Sequence, residues 1–428
     1  MIPPAEILTV ELINHNLEEI EPESPDFSSL LNRIGDAEIV LLGESTHGTS
    51  EFYDLRADIT MELIREKGFE IVLLEADWPD TEGVNQYVQG RVPRWHAFRR
   101  FPEWMWRNLS FAIFVERLKA YNLSFEARSR VSIYGMDLYS LSASLEALKP
   151  FIKKHLPDRY MILETADTCL RPWYFDHSHY GLAVLRGVAE SCESEVADLF
   201  KLLYENESRL PSANAELFSA FQNARVVKNA EEYYRTMHEG SIRSWNLRDQ
   251  HMFETLKILK EHFNAKIVVW AHNSHIGNAA ATEMGQLGEI NIGQLCKAKY
   301  GDKTYAIGFM TDHGTVTAAN YWDGPAETKA LIRARPDSYE MLFHMASSRC
   351  YLLPLQKDPA LKKALSKTRL ERAVGVIYRP DTERLSHYFE AGLGDQFDEI
   401  FWVDETSAVV PLPHAKHIAE PDTYPFGY

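Results

Sequence analysis

Histidines and carboxylates cluster in this chain at the ends of apolar, strand-like runs. Gly43-Glu44-Ser45-Thr46-His47-Gly48 follows Ala37 to Leu42, and Glu75, Asp77 and Trp78 follow Ile71 to Leu74. Asp137 comes after Val131 to Tyr134, His272, Asn273 and His275 after Ile267 to Trp270, and Asp312 and His313 after Tyr305 to Met310. In Glu44-x-x-His47 the carboxylate can hold one ring nitrogen, fix the tautomer and raise the basicity of the other nitrogen. A general base acting on water needs that arrangement. The paired imidazoles of His272 and His275 are hard to explain as packing, and Glu75 is a charge at a strand end that needs a partner. Arg56, on the following helix, can supply that partner or steady a developing oxyanion.

Structural alternatives accompany each motif. Ser45, Thr46, Thr49 and Ser50 suit a helix N-cap, and Glu51 suits a first turn. The aromatic and basic stretch with Trp104, Met105, Trp106 and Arg107 fits either a pocket wall or an interlayer contact. Ser244 to Met252, with Trp245, Arg248 and Asp249, is most simply a helix start carrying a buried tryptophan. His47 stands where a G-x-S-x-G elbow needs its second glycine, which disfavours a serine nucleophile. Dinucleotide and P-loop glycine motifs are absent. The Glu/His set resembles a metal-ligand list without H-E-x-x-H, so a metallohydrolase using Glu44, His47, Glu75, His272 and His275 is the alternative enzyme.

The elements that must position these residues follow from periodicity. Short Val- and Ile-rich runs alternate with helical stretches, the pattern of a mostly parallel sheet covered by helices. Glu51 to Lys67 reads as the first crossover helix, ended by Gly68. Residues 1–36 are expected to drape over the surface. Strand signals fade between about 140 and 264, where Val196, Leu199, Phe200 and Leu203 make one helical stripe and Met252, Leu256, Leu259 and Phe263 another. The organisation expected is a core half over 1–139, a helical insertion acting as a lid over 140–264, and a second core half over 265–428. Further strands are expected at Lys266 to Ala271, Lys303 to Met310, Ala373 to Tyr378 and Asp398 to Val403. Where parallel strands end together, the polar clusters share one rim, and ligands bind at such rims.

Composition narrows the class. A net charge of −17 disfavours nucleic acid and favours neutral or cationic small molecules. The absence of a long apolar run or a leader-like start implies a cytoplasmic protein with no membrane span. Cys169, Cys192, Cys296 and Cys350 lack a framework spacing and read as unpaired thiols in a reducing compartment.

With Gly43-Glu44-Ser45-Thr46-His47-Gly48, Arg56, Glu75 and Ala271-His272-Asn273-Ser274-His275 in view, the chain resembles the erythromycin esterase family. The resemblance implies a three-layer α/β/α core with a helical insertion. It also implies hydrolysis of a macrolide lactone without metal or other cofactor. His47 would be the base, with Glu44, Arg56, Glu75, His272 and His275 around it. The segment after His47 and the Arg-Phe-Pro-x-Trp-Met-Trp-Arg-Asn stretch are closer to the broad bacterial branch than to the antibiotic-resistance members. The expectation is therefore an ester or lactone hydrolase of open substrate, with Trp104, Met105, Trp106, Arg107, Asp137 and His313 lining the substrate site. The non-enzymatic alternative is an accessory protein of polysaccharide production. Oligomeric state is left open.

Overall fold

Runs of Val, Ile and Leu with both faces covered build an eight-stranded central sheet in the computed structural model, which describes residues 4–98, 100–126, 130–207 and 215–413. In chain order its strands are β1 (Glu18–Glu19), β2 (Ile39–Leu42), β3 (Ile71–Asp77), β4 (Ser132–Asp137), β5 (Ile267–Trp270), β6 (Thr304–Met310), β7 (Cys350–Pro354) and β8 (Glu399–Val403). Their spatial order is β1-β7-β8-β6-β2-β5-β3-β4. Pairing is parallel from β8 through to β4 and antiparallel where β7 and β1 close the other edge. Alternate residues of each strand feed opposite cores. Val40, Leu42, Val72 and Leu74 pack with Phe52 and Phe111 on one face. Ile39, Leu41, Ile71 and Leu73 pack with Met252 and Leu256 on the other. The result is a three-layer α/β/α molecule.

Register sets the site. Leu42 lies opposite Trp270, Trp270 opposite Leu74, and Leu42 also opposite Ile307. The residues that follow therefore leave the sheet at one height. The helix Ser50–Lys67 ends as expected at Gly68, whose φ of 68° is the left-handed conformation that glycine adopts without penalty. Between β4 and β5 the described residues are mostly helical, and those helices bury a third core of their own, including Leu145, Leu163, Leu199 and Val227.

Four expectations need correction. Residues before the first long strand do more than drape, because helices Pro4–Asn16 and Ser28–Ile34 pack down and Glu18–Glu19 adds the edge strand. Ala373 to Tyr378 is no sheet strand. It makes only isolated bridges, Val374 to Thr46 and Ile377 to Ala319, and Cys350–Pro354 takes the expected place in the sheet. Thr49 stands at the helix N-cap without a side-chain capping bond; its hydroxyl meets Thr46, while Ser50 bonds the Ala408 carbonyl. Cys169 and Cys192 form a disulfide, because helices Tyr160–Leu170 and Glu193–Glu207 pack side by side; Cys296 and Cys350 are free and buried.

Candidate active site

Two glycines let the Glu44–His47 turn fit against its neighbours. A Cβ on Gly43 would lie 2.0 Å from Asn273 Oδ1, and one on Gly48 would lie 1.9 Å from the Thr317 carbonyl oxygen. Asn273 is itself fixed, donating to the Phe309 carbonyl and accepting from the Phe309 N–H, so it ties β5 to β6. Within the turn, His47 Nδ1 sits 2.8 Å from Glu44 Oε1, and Arg56 Nη2 donates to Glu44 Oε2 at 2.5 Å. Arg56 is fully buried between the rings of Tyr53 and Trp270. It therefore acts on Glu44 and is not the partner of Glu75. With Glu44 accepting at Nδ1, the lone pair of His47 stands on Nε2, the nitrogen left for the cavity.

Glu75 is held from three sides. Oε2 accepts the His272 backbone N–H at 2.8 Å, Oε1 accepts from Arg248 at 2.7 Å, and His275 Nε2 lies 3.3 Å from Oε1. Burial would raise its pKa, but His275 and Arg248 hold it well below the usual carboxylate range. Arg248 also grips Asp137 through two bonds of 3.0 and 2.7 Å. His275 Nδ1 lies 2.9 Å from Asp249, and its ring stacks on Trp245 at 4.6 Å. Burial alone would lower the pKa of His275; Asp249 and Glu75 overcome it, against Arg248, and raise it to about 9.

His272 has the opposite character. Its Nδ1 accepts from the Ser274 N–H at 3.2 Å, and the Ser274 hydroxyl stands 2.8 Å from the same nitrogen. Burial, reinforced by nearby His47, pushes its pKa well below the ordinary 6.5, so the ring is neutral at pH 7. A neutral ring that accepts at Nδ1 carries its proton on Nε2. That Nε2 is buried and makes no hydrogen bond of normal geometry, although the Ser45 backbone also acts on the ring and opposes the lowering. The rings of His47 and His272 are 5.0 Å apart, centroid to centroid.

These groups open on one cavity of about 100 Å³, lined by His47, Glu75, Asp77, Asp137, Arg248, His272 and His275. One wall is made by Phe98, Arg100 to Glu103, Met105 and Trp106 together with Trp322, with Phe101 and Trp322 in edge contact at 4.6 Å. Of the expected wall residues, Met105 and Trp106 line it, and the Trp106 indole donates to the Glu75 carbonyl. Trp104 is buried in the adjoining core, and Arg107 reaches the Pro413 carbonyl. His313 lies at a separate groove, against Asp312, because the chain turns after β6 into the antiparallel pair His313–Ala318 and Glu327–Leu331. Arg248 and Asp249 were passed over in the sequence as a helix start. Their adjacency to Trp245, one helical turn back from Arg248, was the available signal. Asp77, Arg100 and Tyr139 also line the site. Among the described residues no three His, Cys, Asp or Glu side chains converge as a metal-binding group, and no helix is long and apolar enough to cross a membrane.

Comparison with known proteins places this geometry. The chain is 22% identical over 418 residues to erythromycin esterase type II of Escherichia coli, covering 89% of this chain and 93% of that one. Its fold matches the crystal structure of a Bacillus cereus protein with a TM-score of 0.81 and 22% identity, over 96% of this chain and all of the other. A histidine-to-asparagine mutant of the erythromycin esterase EreC, solved in its open conformation, matches with a TM-score of 0.67 and 19% identity, over 90% of this chain and 96% of that one. The family model described as erythromycin esterase matches residues 64–406, from the end of the first crossover helix to the last described strands. By that match the chain belongs to the erythromycin esterase family.

Proposed function

We propose that this protein hydrolyses a carboxylic ester or lactone with water activated by His47 and without a covalent intermediate. Family membership supports hydrolase chemistry in general. The observation that carries the finer reading is the pairing, across one cavity, of a base and a neutral donor. His47 offers Nε2 with its other nitrogen tied to Glu44, and His272 offers an Nε2–H that makes no hydrogen bond of normal geometry. In this reading water between them loses a proton to His47 as its oxygen attacks the carbonyl carbon. The oxygen that becomes anionic is met by His272, a donor that carries no charge to be neutralised beforehand. Glu44, braced by Arg56, steadies the imidazolium. Arg248 holds Glu75 and Asp137, and Glu75 fixes the His272 backbone. The substrate is a small molecule, and a macrocyclic lactone is one class to try.

The helices between residues 140 and 264 serve in this reading as a lid between core halves 1–139 and 265–428. Arg248, from the last of those helices, is their direct reach into the cavity, beside Tyr139 at the insertion's edge. The test is incubation with a panel of macrolides and simple lactones, followed by mass spectrometry for the gain of one water. Turnover that disappears in His47→Ala supports the reading. Turnover that persists in His47→Ala, or that requires an added divalent cation, overturns it.

A further inference from the structure

We propose that Asp77 is the general acid that protonates the leaving alcohol oxygen when the acyl C–O bond breaks. This rests on the hydrolase reading above and adds a second proton-transfer group to it. Three carboxyls from β3 and β4 face the cavity: Glu75, Asp77 and Asp137. Both oxygens of Glu75 and both of Asp137 accept hydrogen bonds, from Arg248, the His272 N–H and the Leu138 N–H. Asp77 differs. Its Oδ2 is paired with Arg100, whereas its Oδ1 is buried and makes no hydrogen bond of normal geometry, the Ser140 hydroxyl being the one further donor acting on the carboxyl. Although Asp77 stands at the N-cap of the helix Trp78–Val88, its side chain makes no capping bond.

A buried carboxylate oxygen without a well-placed donor is costly to keep ionised. A protonated Oδ1 removes that cost, and because Asp77 lines the cavity its O–H stands at the cavity wall. Burial in fact raises the Asp77 pKa to about 7, against Arg100 and aided by Asp80 and Asp137. The other groups at the strand ends are committed: Glu75 is held ionised, His275 is clamped between carboxylates, and His272 serves the carbonyl oxygen; Asp80 and Glu103 also line the cavity but from outside the strands. Asp77 lies on β3, two strands from the β2 end that carries His47, so base and acid approach a bound ester from different sides.

The step balances as follows. Water gives its oxygen to the carbonyl carbon and one proton to His47. As the tetrahedral adduct collapses, the electron pair of the acyl C–O bond stays on the leaving oxygen, which takes the Oδ1 proton of Asp77. The products are a carboxylic acid and an alcohol. His47 then releases its proton to solvent, and Asp77, left as a carboxylate beside Arg100, regains one.

Aryl and alkyl leaving groups separate this role from a structural one. The probes are 4-nitrophenyl, phenyl and benzyl acetate, whose leaving groups grow progressively more basic and so need protonation more. In Asp77→Asn, kcat for 4-nitrophenyl acetate should fall least of the three, with circular dichroism checking that the variant is folded. The benzyl-to-4-nitrophenyl rate ratio should fall by ~10²-fold or more. Asp77→Glu, which keeps a proton donor, should restore most of the ratio. An unchanged ratio in Asp77→Asn overturns the proposal and leaves the hydrolase reading standing. An equal loss with all three esters also overturns it, by showing that Asp77 only supports the fold. No turnover of any of the three by wild type sinks the hydrolase reading and this proposal with it.

Discussion

At the scale of single residues, His47 is the group on which the proposed chemistry turns. Substituting it with alanine should lower kcat by ~10²–10⁴-fold in a folded protein, as measured by steady-state kinetics alongside circular dichroism. Ser45 is the contrasting case. Although it is in the same turn, it is fully buried and does not line the cavity, so Ser45→Ala should keep most activity. A trapped acyl-enzyme on Ser45 would refute water as the nucleophile. His275 yields a pH prediction. Its pKa is raised from 6.5 to about 9 on folding, so its stabilising contribution is complete below pH 6.5 and is lost as pH rises through about 9. The melting temperature of the wild type should therefore fall between those two values more steeply than that of His275→Asn. Glu75 acts in the other direction: its lowered pKa gives stability present above the usual carboxylate range and lost as acid titrates it.

At the scale of elements, the strand ends decide what the sequence can reveal. Glu44, His47, Glu75, His272 and His275 were legible because parallel strands of matched length deliver consecutive residues to a common rim, and each follows an obvious apolar run. Arg248 and Asp249 were hidden for the opposite reason. They come from the middle of a long helix, Ser241–Phe263, whose polar residues cannot be told from a solvated face until the helix is docked. His313 lies apart from the other expected residues because a sharp turn after β6 carries it into another groove, and no periodicity marks such a turn. Cys169 and Cys192 were missed because helix packing, which sequence spacing does not encode, brings them together. The docking of that helix can be tested through Arg248, which grips two buried carboxylates. Arg248→Gln should destabilise the protein by about 3–5 kcal/mol, since it removes the ion partner of buried Asp137 and one of the two that hold buried Glu75. Chemical denaturation would measure it, and a loss below about 1 kcal/mol would mean that the network is far wetter than its burial implies. Gly43→Ala should cost about 1–3 kcal/mol through overpacking against the immobilised Asn273.

At the scale of the whole molecule, the cavity of about 100 Å³ is smaller than a macrocycle, and one wall is a single segment plus Trp322. The Phe101–Trp322 contact takes up room on that wall which a bulky ester would need. Trp322→Ala should therefore raise kcat/KM for large esters relative to small ones, and an unchanged size preference would locate the barrier elsewhere. The antiparallel edge of the sheet has a different consequence. β7 is a fully buried Cys-Tyr-Leu-Leu-Pro strand whose outer hydrogen bonds are covered by two glutamates, Glu18 opposite Leu352 and Glu19 opposite Tyr351. Without that short cover, an apolar strand would present unpaired N–H and C=O groups to any passing chain, the template on which aggregation is seeded. Replacing both Glu18 and Glu19 with proline should thus leave the histidine cluster untouched and yet make the protein self-associate, with light scattering that rises with concentration. Solubility, on this view, is guarded by a two-residue strand at the sheet edge opposite β4.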